Sequence, residues 1–291
     1  MARYINPYTD FGFKKLFGEE GSKDQLKDFL NELLPPIHKI KELSFKQSEV
    51  LGEVEATRKA IFDIYCEAEN GTKFIVEMQK AKIDFFNDRS IFYTTFPIKE
   101  QAEKGDWNFE LKPVYCIAIL DFKFDKAQPN EKINNLFQSN VQLKDQYCNV
   151  FYDKLAFIFI EMPRFTKNED ELETRFDKWS YFLKHLEDFN EIPDILNEVI
   201  FIECFRKAEI ANYNQKEREQ YDTSLKIYRD LKGVIDTSYN EGIEIGIEKG
   251  RIETEDRAIR KALKAGKLTP SEIAEMLDVT LERVLKLIEN D

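Results

Sequence analysis

Histidine is nearly absent from this chain of 291 residues, which has only His38 and His185. Neither has a cysteine or acidic partner at ligand spacing, so both are expected to be structural. No Ser-His-Asp order, P-loop or glycine-rich dinucleotide fingerprint occurs, which removes the familiar signatures of nucleophilic catalysis and nucleotide binding. The four cysteines, Cys66, Cys116, Cys148 and Cys204, are scattered without a CxxC spacing. They are expected as small core residues in a reducing cytosol, not as zinc ligands. No apolar run is long enough to cross a bilayer and the opening MARYINPYTD has no secretory apolar region, so a cytoplasmic protein without a membrane partner is expected. A basic excess is missing too: the net charge is −12. A surface that binds a polyanion would have to be a local stripe on an acidic molecule.

What is present suffices for a core. The chain is 42% hydrophobic and 13% aromatic, enough for one large α/β domain and a small appendage. Its organising stretch is residues 59–80, KAIFDIYCEAENGTKFIVEMQK, in which two alternating segments flank Asn-Gly as in a β-hairpin. Side-chain parity sets the register. Phe62, Ile64, Cys66 and Ala68 form one apolar set and Phe74, Val76 and Met78 the other, so the faces merge only when even residues oppose even residues. A two-residue Asn70-Gly71 turn would mix the faces. A three-residue loop, Glu69-Asn70-Gly71 with Gly71 left-handed, pairs Ala68 with Thr72, Cys66 with Phe74 and Ile64 with Val76. Glu67 then meets Lys73 as an opposite-charge pair, and Asp63 falls across from Glu77.

Two carboxylates directly opposed on a sheet destabilise it unless something compensates, and a divalent cation is the simplest compensation. Mg²⁺ takes carboxylate oxygens and waters, and can clamp a phosphodiester while activating a water. Gln79, two residues beyond Glu77, shares its face. A plain alternative is a polar sheet face whose charges are only hydrated.

The layout Asp-x13-Glu-x-Gln on a hairpin resembles a PD-(D/E)xK nuclease site with Gln in the usual lysine position. The longer run RKAIFDIYCEAENGTKFIVEMQKAKIDFFNDRSIFYTTFPIKEQAEKGDW resembles the core of the Rpn family, recombination-promoting nucleases and transposases of bacteria. TDFGFKKLFG, residues 9–18, resembles that family's first helix, and the likeness runs from about Asp10 to Phe122. The resemblance implies a restriction-endonuclease-like α/β fold, a mixed sheet flanked by helices, and Mg²⁺-dependent DNA cleavage with Mn²⁺ as a substitute. It implies Asp63 and Glu77 as metal ligands and Gln79 in the third catalytic position. Lys80 follows, but strand parity sends it to the opposite face unless the strand bulges. Lys14, Lys15, Arg58, Lys59, Lys80, Lys82 and Arg89 cluster in sequence around the hairpin and are the candidates for contacting DNA. The alternative is a catalytically silent DNA-binding or assembly protein that keeps the fold.

Along the chain, residues 10–34 read as amphipathic helices stopped by Pro35-Pro36. Asp10 is the expected N-cap of the first, with a water-mediated place near the metal as the other option. A first strand is expected within residues 40–50, leading through Glu53 and Glu55 into the hairpin. A helix over 84–103 should kink or break at Pro97 and carries Arg89, Tyr93 and Gln101 beside the site. Buried strands are expected at 114–121 and 155–161, separated by a polar insertion over 122–153 with a turn at Pro129-Asn130; Asp121 ends the first strand as a cap or an outer group of the site. Residues 168–231 read as helical, with stripes that include Val199, Ile202 and Ile227. The expected division is 1–165 nuclease-like core, 166–235 helical part packed on it, 236–254 glycine-faced linker helix, and 255–291 helix-turn-helix-like unit. Gly242, Gly246 and Gly250 lie at i, i+4, i+8, either as a self-associating face that would support a homodimer or as a loose linker. Thr269-Pro270-Ser271-Glu272 is a capping box. The last helix offers only Arg283 and Lys286 for reading bases, and a protein contact suits it at least as well.

Overall fold

The computed structural model describes residues 2–47, 49–50, 60–102, 108–124 and 136–289. The predicted turn at Pro129-Asn130 and the residues Glu53, Glu55, Arg58 and Lys59 lie outside them. Among the described residues, a six-stranded mixed sheet has the order β1-β4-β5-β6-β8-β7. These are β1 (Leu43–Phe45), β4 (Ile64–Ala68), β5 (Lys73–Gln79), β6 (Val114–Leu120), β7 (Gln138–Lys144) and β8 (Val150–Glu161). β5, β6 and β8 run parallel at the centre, while β1, β4 and β7 join antiparallel. The fold is α/β and restriction-endonuclease-like.

The hairpin has the register that parity requires. Ile64 opposes Val76, Cys66 opposes Phe74 and Glu67 opposes Lys73. Gly71 is left-handed at φ 84°, and the Ala68 N–H donates to the Thr72 carbonyl at 2.9 Å. The Lys73 ammonium sits 2.9 Å from Glu67. Phe62 departs from its expected face. The chain bends at Asp63, alternation is lost there, and Phe62 packs with Tyr65 and Tyr93 on the opposite side of the sheet.

Both faces of the sheet are covered, which is why its central strands read as continuous apolar runs. One face carries Ile64, Phe74, Val76, Ile117 and Ile158 under α1 (Asp10–Phe13), α2 (Lys23–Leu33), α4 (Arg175–His185), α5 (Val199–Ala208) and the start of α6 (Gln215–Ala265). The other carries Tyr65, Ile75, Cys116, Ala118 and Phe159 under α3 (Phe86–Lys99). α3 runs on through Pro97 to Lys99, so the helix does not break there.

Several expectations are corrected. Only Leu43–Phe45 of the predicted first strand joins the main sheet; β2 (Glu49–Val50) pairs instead with β3 (Ala60–Ile61) in a separate two-stranded sheet. The supposed polar insertion contains β7 and the start of β8. β7 is an edge strand, exposed or half-exposed throughout, so it carries no apolar signature. Thr9, not Asp10, caps the first helix by accepting the Gly12 N–H at 2.9 Å. Val199, Ile202 and Ile227 are exposed, and so is Cys148, in a left-handed turn.

The described residues form two compact units, Met1–Asp230 and Leu231–Asp291. In the second, α7 (Pro270–Leu277) begins at the predicted capping box and Gly266 is left-handed. α8 (Leu281–Glu289) packs Val284 with Ile259 and Ile273. Arg283 is engaged by Asp256 at 2.9 Å and Glu255 at 3.0 Å, which commits it to structure. Among the described residues no helix is long and apolar enough to cross a membrane.

The cap at Thr9 leaves no space for a side chain at Gly12. A Cβ there would stand inside van der Waals contact of the Asn6 carbonyl oxygen and 2.7 Å from Thr9 Oγ1. Gly12→Ala should destabilise the protein by about 3 kcal/mol in denaturant melts. Gly21→Ala, with open space around it, should change stability by no more than about 0.5 kcal/mol.

Candidate metal and nucleic-acid site

The bend that displaces Phe62 also creates the site. β4 starts at Ile64, so Asp63 is freed from the ladder while staying next to the far end of β5. The Asp63 N–H donates to Glu77 Oε1 at 3.2 Å, and the Met78 N–H donates to Asp63 Oδ2 at 2.8 Å. Each carboxylate is thereby fixed by backbone on the other strand. Glu77 is 5% exposed, and Asp63 is half-buried.

Burial sets the electrostatics. It raises the Asp63 carboxyl, opposed first by the Met78 amide; the Asp10 charge adds to the rise, and Lys14 and Lys80 oppose it. Burial, then the Asp63 charge, pushes Glu77 up to about 8, against the Asp63 amide, Arg89 and Lys14. The Arg89 guanidinium lies 3.7 Å from Glu77 Oε2 and 4.9 Å from the centre of the Tyr93 ring. Two acids brought together and incompletely neutralised suit a divalent cation, which needs only one or two protein carboxylates when waters complete its shell. Among the described residues no third His, Cys, Asp or Glu completes a metal-binding cluster.

Gln79 is turned into its own loop, its amide nitrogen donating to the Ala81 carbonyl at 2.9 Å. Lys80 follows the end of β5 and lines a groove with residues of α1 and α6, the helices that cover the even-numbered face of the hairpin, as strand parity expects; its charge still acts on Asp63. Asp10, Lys14 and Lys80 line a groove of about 740 Å³ whose other side is α6, with Lys216, Gln220 and Thr223. Lys14 pairs with Asp10 at 2.9 Å. Lys15, also on the groove, is held by Glu217 at 2.7 Å and Glu19 at 3.2 Å. Gln101 is remote in role, clamping Lys112 through its backbone N–H at 2.6 Å.

Asp121 follows the end of β6, where its N–H donates to the Gln79 carbonyl at 3.0 Å. Its Oδ2 accepts the Tyr228 hydroxyl at 2.8 Å, so it ties α6 to the strand ends that carry the site. No local pattern links Tyr228, Lys216 or Gln220 to a hairpin so distant in sequence; only packing brings them there.

Because Glu77 holds its proton in the folded chain far above the ordinary carboxylate value of 4.5, the folded state binds more protons than the unfolded one between 4.5 and about 8. Stability therefore falls as pH rises through that window. Melting temperature in EDTA should drop from about pH 5 to about pH 8.5. Glu77→Gln should flatten the profile and stabilise the metal-free protein at the upper end by on the order of 2 kcal/mol.

A family model described as PD-(D/E)XK nuclease family transposase matches residues 7–238. The chain is also similar to the kinetochore protein Nuf2-A of Xenopus laevis, 20% identical over 219 residues, 72% of this chain and 46% of that protein. It spans about half the length of that curated relative. No solved structure matches the chain.

Proposed function

Since the chain belongs to the PD-(D/E)XK nuclease family transposases, we propose that it is a cytoplasmic, metal-dependent DNA endonuclease serving recombination or transposition. The observation that carries this is the pair of acids Asp63 and Glu77, one half-buried and one buried, each carboxylate accepting a backbone N–H from the other's side of the hairpin. These two residues would hold Mg²⁺, with Mn²⁺ as a substitute. When bound, the ion supplies charge neutralisation at the phosphate and a water of lowered pKa. The chain's own residues do the rest. Lys14 and Lys80 bind the phosphodiester at the groove they line, Lys216 extends that track along α6, and Arg89 opposes the rise in the Glu77 pKa and so favours its ionisation when the ion binds. Gln79, through its side-chain oxygen, orients the attacking water. A net charge of −12 is compatible with this because screening confines each charge's reach to about 8–10 Å at physiological salt.

A second reading has its own support. Gln79 is occupied by Ala81, and Arg89 stands within ion-pair range of Glu77, as in a site retired to a structural role. A catalytically silent DNA-binding or assembly protein would have that arrangement. The full chain should nick supercoiled plasmid in Mg²⁺ and not in EDTA, with Asp63→Ala and Glu77→Ala each reducing cleavage by at least about 100-fold. Equal cleavage by Asp63→Ala would expose a contaminant, and no calorimetric metal binding by the parent chain would favour the silent protein. Lys216→Ala should make the dependence of log K on log salt shallower by about 1.

We further propose that a second copy of the chain docks on the glycine face of α6. Gly242, Gly246 and Gly250 have open space where a Cβ would stand, and Ile243, Ile245 and Ile247 are exposed beside them. The absence of side chains lets two helix backbones approach closely. Light scattering should give a dimer mass, and Gly246→Leu should shift it toward monomer; a monomeric parent chain would end the idea.

A further inference from the structure

Two consecutive phenylalanines at the start of α3 have opposite fates. Phe86 is buried against Phe122, Phe124 and Phe159. Phe85 is 79% exposed, and its backbone is left-handed at φ 60°, ψ 28°. That conformation is disfavoured for a bulky residue, and Gly or Asn would adopt it at lower cost. The phenyl ring gains little packing in return. A strained backbone that delivers an apolar ring to solvent points to a role outside the folded chain.

Its position says which role. The Phe85 carbonyl accepts the Arg89 N–H at 2.9 Å, so the ring is based one helical turn from Arg89. That arginine lies 3.7 Å from Glu77. Lys80, which acts on Asp63, ends the other flank of the same short loop. An exposed phenyl ring is thus based on the short segment that joins Lys80 to the helical turn carrying Arg89. A nucleotide offers the matching chemistry: a phosphate for the cations and an aromatic base for the ring.

We propose that Phe85 stacks on an unpaired nucleobase of the DNA strand whose phosphate lies at Asp63 and Glu77. The inference rests on the nuclease reading above and deepens it, because a ring can stack on a base only where the base is unstacked from its neighbours. Every base has a π-face, so the contact gives a preference for single-stranded or opened DNA and none for sequence.

The test is fluorescence anisotropy of a fluorescein-labelled single-stranded oligonucleotide titrated with the full chain in Ca²⁺, comparing the parent chain with Phe85→Gly and Phe85→Trp. Glycine suits the left-handed backbone, so Phe85→Gly should melt at or above the parent temperature. It should nevertheless bind about 10- to 100-fold more weakly, while Phe85→Trp stays within about threefold of the parent. Undiminished binding by Phe85→Gly would overturn the stacking role alone. So would weakened binding accompanied by a lower melting temperature, which would make Phe85 structural. A parent chain that binds no DNA would overturn the nuclease reading, and this inference with it.

Discussion

The site depends on a reciprocal brace: an amide of β5 holds the Asp63 carboxylate, and the amide of Asp63 holds the carboxylate of Glu77. These two bonds, 2.8 Å to Asp63 and 3.2 Å to Glu77, hold together two acids that burial and mutual repulsion would otherwise separate. The brace exists because the chain leaves the ladder at Asp63. Had β4 continued regularly, the Asp63 backbone would have been used up in strand pairing. The same bend carries Phe62 across the sheet to meet Tyr65 and Tyr93. One local irregularity thus places a carboxylate and anchors α3, which brings Arg89.

The opposite wall is built from far along the chain. α6 reaches the strand ends through Tyr228 to Asp121, the N-terminal turn through Tyr221, which accepts the Asn6 N–H at 2.9 Å, and α1 through Ser224, which accepts the Phe11 N–H at 3.1 Å. Lys15 and Glu217 add a half-buried ion pair. Each such contact contributes only about 1 kcal/mol, but together with the packing of Phe11 against Tyr221 they join the three elements. The groove beside Asp63 has its shape because these contacts hold α6 against α1.

Where side chains alternate and both faces are buried, the sequence was a sufficient guide. A one-residue slip in the hairpin would have mixed Phe74, Val76 and Cys66 with the face of Tyr65 and Ile75, so parity determined the strand pairing, and the bend at Asp63 then sets its carboxylate beside Glu77. The limits of parity appear where strands stop. Phe62 lies just outside regular strand and ends up where alternation does not put it. β7 was hidden for another reason: an edge strand exposed to solvent, QSNVQLK, is mostly polar, with Val141 and Leu143 as its only apolar residues. The cap at Thr9 was missed by one position because Asp10 is an equally good capping type and only geometry separates the two. The wall of α6 had no local signal at all.

The Arg89 contact separates a poised site from a closed one. A committed arginine–carboxylate pair has charge-assisted bonds of about 2.7–2.9 Å and often two of them. At 3.7 Å, with the guanidinium also over Tyr93, Arg89 stabilises charge on Glu77 without occupying its lone pairs. Compare Arg164 and the fully buried Glu161, where Oε2 accepts the Arg164 Nε–H at 2.7 Å and the Phe124 N–H at 2.8 Å, so the carboxylate is directly bonded as a structural anchor. In the same fold, then, one acid is directly bonded to its arginine while Glu77 is not, and burial and the Asp63 charge raise its pKa. That residual deficit of positive charge, next to a second acid in the same state, is what a divalent cation would fill. On that physical ground the metal-dependent reading is preferred to the silent one.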